Sequence, residues 1–288
     1  MGKDYDLLLS DDIALDIVAE RRIAAEDVQW KFLAKAGVVG GGLTKLLREL
    51  GAIAPGKYEQ KTIARLLGAG KNISFLSVVC PDYATREEKG TMRYTFDSLG
   101  EGVGVVAGRA LEVHARLAKF FAEHEASARV SFTLAMADQE ASEENCGRVG
   151  IDRDEFTRRL RKSQEALGDQ AKSLGVTLET PLLSEIDPPR WETARREAKE
   201  MLGRVSPGLL ESARRVRHLF YDRWAGRRLE NSEAMAMLLT QVEEYIAVGR
   251  YLAEDGRVIL GLDAPVMAPF VRHGASGTPV IYFERPEY

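Results

Sequence analysis

The sequence predicts an α/β sandwich: a central, mostly parallel sheet of about five strands covered by helices, entered through a helical preface at the amino terminus. Three observations carry that expectation. The run ISFLSVV at residues 73–79 is apolar on both faces, through Ile73, Phe75, Leu76, Val78 and Val79. A strand covered on both sides belongs to a parallel sheet. A second such run, RVSFTLAMA at 129–137, follows one helix later, and two strands joined that way in one direction need a right-handed crossover. Three further strand-like runs lie at 176–183, 258–262 and 279–283, separated by helical patterns.

Taken in order, residues 1–70 form the preface. The segments 12–22, 25–36, 43–50 and 60–67 carry apolar residues at three- and four-residue spacing, the period of a helix packed on one side. Gly40-Gly41-Gly42 and Pro55-Gly56 punctuate them. Four short helices suit a packing cap better than a helix-turn-helix reader, because they are not notably basic. Residues 71–288 form the Rossmann-like α/β domain proper. Its first strand ends at Cys80-Pro81, since proline cannot donate to a ladder. Residues 84–104 read as a long connection at the carboxyl edge, a place where such lengths are usually functional or mobile. Helices follow at 105–124 and 153–174, and a long helical region opens at Pro188-Pro189, is broken near Ser206-Pro207, and is followed by a helix over 232–253. Pro207 suits the first turn of a second helix.

Composition narrows the class of protein. Of 288 residues, 45% are hydrophobic and 29% charged, as in an ordinary globular chain. No apolar run approaches the length of a membrane span, and the start MGKDYD resembles neither a secretory signal nor a myristoylation site. Membrane contact is not expected. Two cysteines, Cys80 and Cys146, are too few for a disulfide scaffold or a structural zinc site. A reducing, cytoplasmic location follows, with no metal and no cofactor required by any motif. The net charge of −4 hides a basic stretch: between Arg190 and Arg228, eleven Lys or Arg stand against five acids, a local charge of +6. Such a face can hold phosphates.

The chemistry-bearing candidates cluster at the expected strand ends. Cys80 stands where open α/β sheets hold their ligands, and its thiol is a nucleophile if a cation or helix terminus activates it. His114 or His273 could supply a base in space. The plain alternative is an inert buried cysteine. Asp82 and Tyr83 share that corner. Asp138 and Glu140 follow the second strand, where an acid can orient a hydroxyl or an amino group; a solvated loop acid is the alternative. Gly100 and Gly102, in LGEGVG before a helix, could cradle a phosphate on backbone amides, although alternating glycines also describe a flexible loop. Arg195, Arg196, Lys199, Arg214, Arg215 and Arg217 recur at helical spacing with Trp191, Tyr221 and Trp224 interleaved. That mixture suits an RNA backbone, and a solvated helix face equally well. Late in the chain, Glu244 adjoins Tyr245, Gln241 and Tyr245 share a helix face, and Tyr282 lies in the last strand.

The order of these parts resembles the tRNA-dependent cyclodipeptide synthases, relatives of the class I aminoacyl-tRNA synthetase catalytic domain. In that family an apolar strand ends in a Ser-Pro-like corner whose serine accepts an aminoacyl group. A second strand ends in an acid, a basic helix binds tRNA, a late helix carries Tyr-x-x-x-Glu, and the last strand bears a tyrosine. The resemblance, over residues 73–288, places Cys80 of VVCPDY at the nucleophile position and Asp138 at the acid. It gives the 190–228 helices to tRNA and makes Tyr245 and Tyr282 the two tyrosines. It implies an aminoacyl transferase fed by aminoacyl-tRNA, with Tyr245 or Glu244 handling the substrate amine. The sequence departs from the family in using Cys for Ser and in carrying Gly249 four residues after Tyr245. Two other readings remain open on the residues alone: an enzyme using a small nucleotide or S-adenosylmethionine at the glycine loop, and a non-catalytic RNA-binding module.

Overall fold

The computed structural model describes residues 41–52, 61–63, 65, 66, 69, 71–124, 129–138, 146, 147, 150–261 and 265–283. The segments 12–22 and 25–36 and the candidate Glu140 lie outside them. The elements run β1 (Ile73–Val79), β2 (Ala84–Glu88), β3 (Thr91–Thr95), α1 (Val105–Glu123), β4 (Val130–Met136), α2 (Arg153–Ser173), α3 (Pro188–Leu202), α4 (Pro207–Ala225), α5 (Asn231–Leu252), β5 (Arg257–Gly261), α6 (Ala268–Ala275) and β6 (Val280–Tyr282).

Among the described residues, the central sheet has four parallel strands in the order β4-β1-β5-β6. All seven residues of β1 pair with β4, and Ser74 to Val78 pair with β5 on the other side. The strand expected over 176–183 contributes two parallel bridges outside β4, Thr133 to Glu179 and Met136 to Leu182. The Leu134 and Met136 amides donate to the carbonyls of Glu179 and Pro181 at 2.8 and 3.0 Å. Pro181 has no N–H with which to extend a ladder, so the segment stays a pair of bridges. The chain therefore lays down one side of β1 first and returns to the other with β5. The reversal falls between β1 and β5, where sheets of this kind open a crevice beyond the strand ends.

Each face of the sheet has its own core. Phe75, Leu134, Val258 and Ile281 pack with Leu111, Phe121, Phe156 and Leu160 of α1 and α2. Leu47, Leu50 and Ile63, from the described part of the preface, join this same cluster. Leu76, Ala135, Ile259 and Val280 pack on the opposite face with Trp191, Leu238, Ile246 and Phe270. Burying one such large side chain contributes about 1.5–3 kcal/mol, so these two layers outweigh any surface ion pair, at about 0–1 kcal/mol. Local signals set the helix starts. Asp152 accepts from the Glu155 amide at 2.8 Å, Asp187 from Arg190 at 3.3 Å, and Ser206 from Leu209 at 3.2 Å. The prolines at 188 and 207 occupy first-turn positions where no amide hydrogen is needed.

Two elements correct the sequence reading. The connection after β1 is largely a β2–β3 hairpin, turned by Lys89 and Gly90 with φ of 52° and 79°. Two successive positive φ values are those of a type I′ turn, which Asn-Gly announces far more clearly than Lys-Gly. The stretch between β5 and β6 also contains α6, whose eight residues, APFVRHGA, are too few to display a helical period. This helix lies hard against α5. A Cβ on Gly249 would overlap the Val271 carbonyl oxygen, and one on Gly274 would overlap that of Ile246. The glycine four residues after Tyr245 is thus a packing requirement, and no glutamate fits there.

Gly249→Ala tests this crossing. Alanine improves intrinsic helicity by about 1 kcal/mol, but overpacking against backbone costs about 1–3 kcal/mol and the neighbouring carbonyl cannot rotate away. The expected outcome is a lower urea midpoint and Tm; an unchanged or raised midpoint would show that the helices separate freely.

Candidate functional site at the carboxyl end of the parallel strands

Pairing of β1 with β4 runs to Val79 and Met136 and is continued by the Ala137 amide, which donates to the Val79 carbonyl at 2.8 Å. Cys80 and Ala137 therefore leave the sheet one strand spacing apart, about 5 Å, with Asp138 next. Cys80 is half-buried, and neither it nor the buried Cys146 is in a disulfide. Cys80 ends the strand that borders the β1–β5 crevice, and Asp138 follows β4 on the other side of β1.

Asp138 is fixed by the turn over Leu183–Glu185: Ser184 donates its amide to Oδ1 at 3.1 Å and its hydroxyl to Oδ2. Beyond it lies a cavity of about 570 Å³ between α3 and α5, lined among others by Asp138, Trp191, Arg195 and Glu244. Thr240, Glu243, Glu244 and Ala247 line it from α5, at i, i+3, i+4 and i+7 along one helix face. The sequence reading singled out Glu244 but passed over Ser184, Thr240 and Glu243. The α5 stripe was the available signal, masked by the stronger apolar one from Leu238, Val242 and Ile246.

The neighbouring face of α5 turns to Arg217. This arginine is 7% exposed, its guanidinium carbon lies 3.6 Å from the Phe220 ring centroid, and Nη2 donates to Gln241 Oε1 at 3.1 Å. The same Gln241 oxygen accepts from Tyr221 at 2.7 Å. Tyr245 and Tyr83 also lie within the charge's field, so Arg217 gathers residues from three parts of the chain. Tyr83 continues into an aromatic cluster, with ring centroids 4.4 Å from Tyr94 and 5.6 Å from Trp224. Tyr282 is buried, its ring lying where a side chain on Gly261 would have to be.

The remaining candidates separate by placement. Asp82 turns to the start of α1, where it accepts from the Val106 amide at 3.4 Å and fills the space beside Gly104. Its negative charge offsets the positive end of the helix, so a phosphate held by the Gly100–Gly102 loop would meet a carboxylate. Gly100 (φ +88°) donates its amide to Ser163 Oγ at 3.0 Å and packs on the Arg159 backbone; Gly102 faces open space. Among the basic residues, Arg195, Arg196, Lys199 and Arg215 are exposed. Arg214, 7% exposed, is turned inward like Arg217, a correction to the expectation that both meet a phosphate face. It donates to Glu211 at 2.7 Å, to Asn231 at 2.8 Å and to His218 Nδ1 at 2.9 Å, tying α4 to the start of α5. Hydrogen bonds from Arg214 and Arg215 hold the Glu211 carboxyl down to about 2.

Comparison with protein-family models finds no match, and comparison with curated proteins finds none either. Among solved structures, the chain is similar to tyrosyl-tRNA synthetase complexed with L-tyrosine from Pyrococcus horikoshii, at 12% identity and a TM-score of 0.43. The match covers 80% of this chain and 58% of that one. A likeness so distant assigns no chemistry. Among the described residues, no helix is long and apolar enough to cross a membrane.

Neither histidine suggested as a base is placed for it by its described bonds. His273 Nε2 donates to the Met201 carbonyl at 3.2 Å. His114 is fully buried, with Nε2 2.8 Å from Ser77 Oγ in the middle of β1, and its Nδ1 has no hydrogen-bond partner among the described residues. Burial lowers its pKa from 6.5 to about 3. Above pH 6.5 the folded and unfolded imidazoles are both neutral and the residue adds no pH dependence. As pH falls toward 3, the unfolded chain takes up a proton that the folded state refuses, so stability drops. The limiting slope is about 1.4 kcal/mol per pH unit. A His114→Gln variant is expected to show a shallower fall in urea midpoint between about pH 6 and pH 4; an unchanged slope would mean the native imidazole is not held neutral.

Proposed function

We propose that this chain is an aminoacyl transferase that takes its acyl group from aminoacyl-tRNA and carries it on Cys80, in the manner implied by the resemblance to cyclodipeptide synthases. The observation that supports it most is the half-buried thiol of Cys80, one strand spacing from the turn that leads to Asp138 and its cavity. A nucleophile needs access and an acyl donor beside it; the partial exposure of Cys80 supplies the access.

The chemistry balances without a cofactor. The Cys80 sulfur attacks the ester carbonyl, a C–S bond forms, the ester C–O bond breaks, and the ribose hydroxyl of the tRNA leaves with the thiol proton. An amine then attacks the thioester, forming the C–N bond, breaking C–S and returning a proton to sulfur. Glu244, on the cavity wall, is the residue we assign to the substrate ammonium; Tyr245, in the field of Arg217, is the residue we assign to proton transfer. Arg195, Arg196 and Lys199 of α3, with Arg215 of α4, form the exposed set for tRNA phosphates. The small-nucleotide reading has less support, because Asp82 stands at the helix terminus where a phosphate would bind.

Two measurements test the proposal. Cys80→Ala is expected to abolish acyl-enzyme formation from aminoacyl-tRNA, seen by intact-protein mass spectrometry, while leaving tRNA affinity unchanged; undiminished transfer would sink the covalent scheme. Joint replacement of Arg195, Arg196 and Lys199 by glutamine is expected to weaken tRNA binding and to lower the log–log salt slope by about 0.7–0.9 per lost phosphate contact. Salt-dependent binding in wild type together with no transfer from any donor would instead select a non-catalytic RNA-binding module.

A further inference from the structure

We propose that Arg217 receives a phosphate beside the Cys80 corner, that of the terminal nucleotide of the donor RNA. The identity of the donor rests on the aminoacyl-transfer reading, whereas the need for an anion rests on Arg217 itself. Arg214 and Arg217 stand one turn apart on α4 and are equally buried, each 7% exposed. Arg214 has the Glu211 carboxylate at 2.7 Å. Arg217 has no carboxylate partner among the described residues. Its Nη2 donates to the neutral amide oxygen of Gln241 at 3.1 Å, and the ionisable groups that act on it are the phenols of Tyr221, Tyr245 and Tyr83. Its Nε is buried with no hydrogen-bond partner among those residues.

A guanidinium cannot shed its proton to escape such a position. The rings of Phe220 and Tyr221, with centroids 3.6 and 5.7 Å from the guanidinium carbon, attract the cation. A ring face does not replace acceptors in the plane of the fork, however. A buried charge without a counter-ion is costly, and a buried donor without a partner marks the place of a group that binds there. The planar fork of five N–H groups matches the oxygens of a phosphate. The surroundings point to the nucleotide that carries it. Tyr83 is the third residue after Cys80, and its ring lies 6.0 Å from that of Phe220, so a single aromatic ring separates the charge from the nucleophile's turn. Tyr83 and Phe220 are both partly exposed, and aromatic faces of this kind stack bases. In an aminoacyl ester the reacting carbonyl and the terminal phosphate hang from one ribose, so a nucleophile and a phosphate clamp must lie close together.

The test is isothermal titration of the full chain, in phosphate-free buffer, with adenosine, adenosine 5′-monophosphate and inorganic phosphate. The monophosphate is expected to bind at least about tenfold more tightly than adenosine, and more tightly than inorganic phosphate, which offers no base to stack. Arg217→Met is expected to abolish the preference for the monophosphate over adenosine. Arg217→Gln is a second variant with the same expected loss, should the first fail to fold. The comparison of ligands on the wild-type chain depends on neither. Equal affinity for adenosine and the monophosphate, equal affinity for inorganic phosphate and the monophosphate, no binding of any, or a wild-type preference in a folded Arg217 variant would overturn the inference. Its fate separates from that of the transferase reading. An Arg217-dependent preference with no acyl group on Cys80 leaves the phosphate site standing without the reaction. Acylation of Cys80 at unchanged KM for aminoacyl-tRNA in an Arg217 variant leaves the reaction standing and removes the phosphate site.

Discussion

The two-sided pairing of β1 is the constraint from which the rest of this structure follows. A strand bonded along both edges and buried on both faces has no side chain left with which to meet a ligand, so its chemistry is displaced to its end. Phe75 and Leu76 anchor opposite cores, and even the polar Ser77 is closed off by His114. Val79 is fully buried, and past the strand end the partly exposed Cys80 follows it. The strand order also reverses there, between β1 and β5.

The helices on the later face do two jobs that compete for the same residues. Helix α4 must bury one side against α5 and the hairpin, yet it belongs to the most basic stretch of the chain. The conflict is resolved by turning Arg214 and Arg217 inward, each into polar or aromatic partners, and leaving Arg215 outside. Arg214 becomes a tie between helices, and Arg217 becomes the centre that draws Tyr83, Tyr221 and Tyr245 toward one place. Helix α5 shows the same economy, with Glu243 and Glu244 facing the cavity, Gln241 and Tyr245 facing Arg217, and Gly249 pressed onto α6. Three consecutive tasks fit on one helix because its faces repeat every three to four residues.

Much of the framework was legible in the chain itself. The β1 run and its termination at Pro81, the crossover to β4, and the break at Ser206-Pro207 are consequences of apolar patterning and proline chemistry, which act locally. Of the candidate site, Cys80, Asp138 and Glu244 were identifiable in the sequence as strand-end or misplaced polar residues. Ser184 was not, because nothing in its neighbours announces that it folds back 46 residues to hold Asp138. The β2–β3 hairpin escaped because Lys-Gly is a weak turn signal, and α6 because eight residues span barely two turns.

The sequence by itself determined most of the extended and helical segments, the β2–β3 hairpin and α6 apart, and that the central sheet is parallel, since periodicity and turn residues act over a few neighbours. Tertiary structure alone decided which polar residues share a cavity, which arginines face inward, and why position 249 must lack a side chain. Those outcomes depend on distances between elements far apart in the chain, set by how two helical layers close over a twisted sheet, and no local pattern encodes that spacing.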